Sequence, residues 1–98
     1  MVGELVKVEY QQRVWNQAKK GEAGAEFLDM VEKLQGMTLQ QVMADKGLAF
    51  EKVLSRPKEK LWTLRINKNW RAICRLNTGP VIEIIAAADH TKTHSIRR

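Results

Sequence analysis

The chain is 98 residues long, 44% of them apolar, with 17 Lys and Arg against 11 Asp and Glu. A chain of this length carries one core, no apolar run reaches the ~20 residues of a membrane span, and a lone cysteine excludes an internal disulfide or a multi-cysteine metal site. The +6 charge is uneven: residues 1–56 hold 8 basic and 8 acidic side chains, whereas residues 57–98 hold 9 and 3. A basic half of this kind is an electrostatic footprint for a polyanion, most often nucleic acid. The start of the chain, with acidic Glu4, lacks the basic-then-apolar layout of a secretion signal, so a cytoplasmic protein of a single domain spanning 1–98 is expected.

In chain order, Leu5 to Tyr10 alternates, with Val6, Val8 and Tyr10 on one side, and reads as an early strand. Val14, Trp15 and Ala18 then recur at helical spacing, and Lys19 and Lys20 suit the negative end of that helix before Gly21. A second helix is expected over 23–34, where Ala23, Phe27, Met30, Val31 and Leu34 form one stripe and Glu22, Glu26 and Asp29 crowd the start. Thr38 with Gln41 three residues on resembles a capping box, opening a short helix that ends by Gly47. Ala49-Phe50 and Val53-Leu54 add apolar residues to the core. Residues 55–60 form a polar connector broken by Pro57.

Residues 61–76 read as two strands around Asn67-Lys68-Asn69. Asparagine tolerates turn backbone, and each flanking run alternates. Directly opposed residues of a hairpin share a face. A two-residue turn would pair Ile66 with Arg71 and bury a charge among tryptophans, which is too costly. A three-residue loop pairs Ile66 with Trp70, Arg65 with Arg71 and Leu61 with Arg75. The hairpin then has one apolar face, carrying Trp62 and Trp70, and one face with three arginines. The two long helices are expected to cover the apolar face, with Trp15, Phe27, Trp62 and Trp70 mainly in the core. The fold class is therefore α+β, a small antiparallel sheet with two or three helices on one face.

A turn at 77–80 leads to an apolar strand over 81–88, interrupted by Glu83. Glu83 falls in phase with Val81, Ile85 and Ala87, and on the arginine face it could pair with Arg71 or Arg75. Both histidines, His90 and His94, follow this strand. Their i, i+4 spacing, with Asp89 as a third ligand, is compatible with a metal, but spacing alone does not make a site and none is expected. Solvated histidines and a solvated arginine face are the plain alternatives. The richer reading is RNA cleavage, which needs a base for the 2′-hydroxyl proton, an acid for the leaving oxygen and cations for the crowded phosphorus centre. Histidine and arginine supply all three without a metal or cofactor.

The segment Leu64-Arg65-Ile66-Asn67 with Trp70-Arg71-Ala72-Ile73-Cys74 resembles the R-I-N-x-x-W-R-I core of HigB-type toxins in the RelE/ParE superfamily. The strand ending Asp89-His90 and the run Thr91-Lys92-Thr93-His94-Ser95 resemble the Tyr-His strand end of that superfamily and the T-G-T/S-H ending of its YafQ branch. Asp89 stands where the family commonly has Tyr, and Lys92 where it has Gly. The resemblance covers about residues 50–95.

It implies the toxin of a bacterial toxin–antitoxin pair, a metal-independent endoribonuclease that cuts messenger RNA on the ribosome and is silenced by a small antitoxin. The site residues it implies are Arg65 and Arg71 at the scissile phosphate and His90 and His94 as acid and base. Lys58, Lys60, Lys68, Arg75 and Lys92 are the basic residues expected to hold the RNA backbone. The alternative is a non-catalytic member of the same fold, either a DNA gyrase inhibitor of ParE type or an inactive protein that binds nucleic acid or antitoxin.

Overall fold

The computed structural model describes residues 3–54 and 57–89 of the chain. Strand β1 (Lys7–Tyr10) leads into helices α1 (Gln12–Lys20), α2 (Gly24–Gln35) and α3 (Leu39–Ala44). A two-residue strand β2 (Glu51–Lys52) and a single 3-10 turn (Pro57–Glu59) precede β3 (Leu61–Arg65), β4 (Trp70–Asn77) and β5 (Val81–Asp89). The five strands form one sheet in the order β1-β5-β4-β3-β2. The expected α+β arrangement of a small sheet with helices on one face is what the chain adopts.

The early strand joins this sheet differently from the rest. β1 runs parallel to β5, with Val8 beside Ile82 and Tyr10 beside Ile84, so the sheet is mixed rather than wholly antiparallel. Parallel neighbours need a long crossover, and here it is nearly the whole chain. The start of β1 is tied down by Val6 N–H donating to the Met37 carbonyl and Lys7 N–H to the Pro80 carbonyl.

The helices form where apolar spacing lets them cover the sheet. Val14 and Ala18 of α1 and Phe27, Met30, Val31 and Leu34 of α2 are buried against Leu64, Ala72, Cys74, Ile82 and Ile84. Phe27 is fully buried, whereas Trp15, Trp62 and Trp70 are half-buried at the rim of this core. The capping box is present, since Gln41 N–H donates to Thr38 Oγ1 and the Thr38 N–H donates to Gln41 Oε1. Phe50 stacks on Trp62 with ring centroids 4.5 Å apart, as its place in the core requires. Leu54 departs from the expectation, because it stands in the exit from β2 and is 78% exposed.

The hairpin register is the one that keeps charge out of the core. Ile66 N–H donates to the Trp70 carbonyl, and Arg65 lies across from Arg71 and Leu61 across from Arg75. Asn67 builds the loop, its Oδ1 accepting from the N–H groups of both Asn69 and Trp70 at 2.8 Å. On β5 the simple alternation fails. Ile73 pairs with Ala86 but Cys74 with Ile84, so Ile85 is an extra residue, a β-bulge. Past it the phase reverses, and Ala87 joins the helix-side core with Ile82 and Ile84 instead of the face of Glu83.

Candidate nucleic-acid interface

The face of the sheet without helices carries the charged residues. Cross-strand pairing puts Arg65 and Arg71 side by side on it, with Ala88 of β5 next to Arg71. At the other end of the hairpin Arg75 lies between Leu61 and Glu83. Between these ends sits a small apolar cluster of Val53, Leu61 and Ile73, with Ile85 and Ala86 packed against it. Thr63 is in the same region, 1% exposed, and its Oγ1 has no hydrogen-bond partner among the described residues.

The two central arginines differ in environment. Arg65 is exposed, while Arg71 is 7% exposed. Directly opposed residues stand about 5 Å apart at their β-carbons, and like charges there repel. The planar fork of arginine matches phosphate oxygens, so an anion at this pair would meet donors of the right geometry. Carboxylates temper the field: Glu51 lies across from Thr63 and Glu83 across from Arg75. Glu83 accepts from Asn77 Nδ2 at 3.2 Å, so its nearest polar partner is that amide rather than an arginine. Arg65 also borders a groove of about 280 Å³ lined by Glu26, Asp29 and Lys33. That acidic wall comes from α2, 36 or more residues away in sequence, and no local pattern announced it.

The expected backbone-holding residues divide into two groups. Lys68 is exposed in the hairpin loop, next to the Arg65–Arg71 end. Lys58 and Lys60 are exposed just before Leu61, at the far end of β3 with Arg75. Four strand steps of ~3.3 Å put these groups roughly 13 Å apart. The structure therefore brings Lys68 to the central arginines but leaves Lys58 and Lys60 with Arg75. Lys60 adopts a left-handed backbone, φ 53°, which sets the sharp entry into β3.

His90, Lys92 and His94 lie outside the described residues. The last described residue, Asp89, pairs with Trp70 at the hairpin end of the sheet, the end where Arg65 and Arg71 meet. Among the described residues no cluster of His, Cys, Asp and Glu could hold a metal. Cys74 is no nucleophile, because burial pushes its thiol up to about 12. No described helix is long and apolar enough to cross a membrane.

No protein-family model matches the chain, and no curated protein matches it either.

Proposed function

We propose that the protein is the toxin of a toxin–antitoxin pair of RelE/ParE type, a metal-independent endoribonuclease acting on messenger RNA, in the cytoplasm and on the ribosome. The observation that supports this reading is the Arg65–Arg71 pair, two arginines directly opposed on the sheet face that the helices do not cover, Arg65 exposed and Arg71 largely buried, beside the end of β5. Such a pair suits the doubly charged phosphorus centre of RNA cleavage. In this reading Arg65 and Arg71 bind the scissile phosphate and His90 and His94 exchange the protons. Lys68, Arg75, Lys58, Lys60 and Lys92 hold the flanking backbone.

Brief induction of the chain in a bacterial host, followed by mapping of new RNA 5′ ends on translated messages, tests the proposal. Growth arrest with cuts inside reading frames is the expected result. Arg65→Ala, at an exposed position, should relieve both while the fold persists, and His94→Ala should do the same. Arrest and message cutting that persist unchanged in the His90→Ala/His94→Ala double variant would remove the proton-transfer role.

A second reading has its own observation. Arg71 is over nine-tenths buried, as a structural arginine would be. A non-catalytic protein of this fold, a gyrase inhibitor or an antitoxin-binding relative, would use Arg65 at the surface and not need the histidines. Supercoiling defects with intact messages would favour it.

A further inference from the structure

Around the end of the sheet from the arginine pair, the C-terminus of α1 and the end of β5 leave a cleft of about 340 Å³. Gln17, Lys20 and Gly21 form one wall, and Trp70, Asp89 and two alanines of β5 form the other. The Trp70 indole lies hard against Gly21, where an added β-carbon would stand 1.9 Å from Cζ2. Gly21 has φ −87°, an ordinary value, so its lack of a side chain serves the ring and not the backbone. Gln17 commits its Oε1 to the Ala87 N–H at 2.9 Å, which leaves its amide N–H groups as donors. Lys19 sits over the Trp15 ring at 5.6 Å, while Lys20 is exposed at the cleft.

We propose that this cleft takes one unstacked base of a single-stranded RNA, with the Trp70 ring as stacking platform, Gln17 as hydrogen-bond donor and Lys20 on the adjoining phosphate. The inference rests on the RNA reading above and names a contact that reading lacks. Trp70 and Arg71 are consecutive in β4 and so face opposite sides of the sheet. A strand whose phosphate lies at the arginine pair can place a neighbouring nucleotide around the sheet end into the cleft. Base–aromatic stacking tolerates every base because each has a π-face. A ring fixed in advance against Gly21 loses little freedom when a base settles on it. The overall basic charge fits the same occupant. An apolar peptide is the competing class of occupant; Asp89 on the opposite wall offsets the Lys20 charge within the cleft, so the Trp70 ring, the Gln17 amide donors and the basic charge of the whole chain are what favour a nucleotide.

The test uses the full chain and a short 2′-O-methyl RNA, which cannot be cut at its 2′-oxygens. In NMR titrations the Trp70 indole N–H should shift, and the Trp15 and Trp62 signals should stay in place. Trp70→Leu keeps apolar bulk against Gly21 but removes the π-face, and should weaken binding on the order of tenfold. Lys20→Ala should weaken it several-fold and reduce the salt dependence by about one phosphate contact. The Lys20 variant and the titration carry the test if Trp70→Leu fails to fold. A Trp70 signal unmoved at saturating RNA, or unchanged affinity in both variants, would overturn the proposal. So would a Trp70 shift produced by an antitoxin peptide and not by RNA. If wild-type protein cuts messages and Trp70→Leu cuts them equally well, the cleft proposal fails and the cleavage reading stands. If RNA moves Trp70 but no message is cut, the reverse holds.

Discussion

Thr63 and Cys74 show how differently two buried polar side chains are held. Thr63 keeps a hydroxyl without a partner among the described residues, in an apolar patch at 1% exposure. Burying an unbonded hydroxyl costs roughly 1–3 kcal/mol, and Val has nearly the same shape. Thr63→Val should therefore leave stability unchanged or raise it by about 1 kcal/mol in denaturant unfolding. Cys74 also contacts a backbone carbonyl, its Sγ lying 3.5 Å from the Trp62 oxygen. Its thiol is raised from 9.0 to about 12 because burial disfavours the thiolate. The folded chain thus holds this proton more tightly than the unfolded chain does. Stability from this group is complete below pH 9 and declines as pH rises towards 12. Iodoacetamide at pH 8.5 should label Cys74 slowly in the native chain and rapidly in denaturant. Fast native labelling would mean that the sheet opens there.

The hairpin was legible because one rule decided it: a charge cannot be buried among tryptophans. That rule selected the three-residue loop, and Asn67 built it. Removing Asn67 Oδ1 orphans two backbone N–H groups at the loop, so Asn67→Ala should cost about 1–2 kcal/mol in thermal or denaturant unfolding. The helices were legible from apolar spacing for the same reason, since each buries a stripe. The direction of β1 was not, because Val6, Val8 and Tyr10 present the same apolar side whichever way the strand runs. Nor was the bulge in β5 legible. Val81 to Ala88 is apolar on both faces apart from Glu83, so no polar residue marks where the alternation slips. Gly21 looked like a helix stop, and only packing shows that Trp70 requires it. Groupings across the fold, such as Arg65 on the groove that Glu26 and Asp29 also line, leave no trace in local pattern.

At the scale of the whole molecule, charge and fold divide the chain differently. The entire formal excess lies in residues 57–98, yet the basic residues on β3 and β4 share their sheet face with Glu51 and Glu83 from neighbouring strands. A polyanion should therefore meet a limited basic strip rather than a uniformly positive surface. Binding of single-stranded RNA should weaken with salt, with a log–log slope of about −0.7 per phosphate neutralised. Arg65→Ala should reduce that slope by close to one contact, measured by fluorescence anisotropy across a salt series. An unchanged slope would exclude Arg65 from the interface. The extra residue in β5 carries a consequence for tolerance to deletions. Losing one residue from a strand ordinarily throws everything beyond it onto the wrong side. Ile85 is the exception, since Ile84 and Ala86 already pair with the adjacent Cys74 and Ile73. A chain lacking Ile85 should keep Asp89 opposite Trp70 and unfold only a few degrees earlier, whereas one lacking Glu83 should lose its cooperative melt.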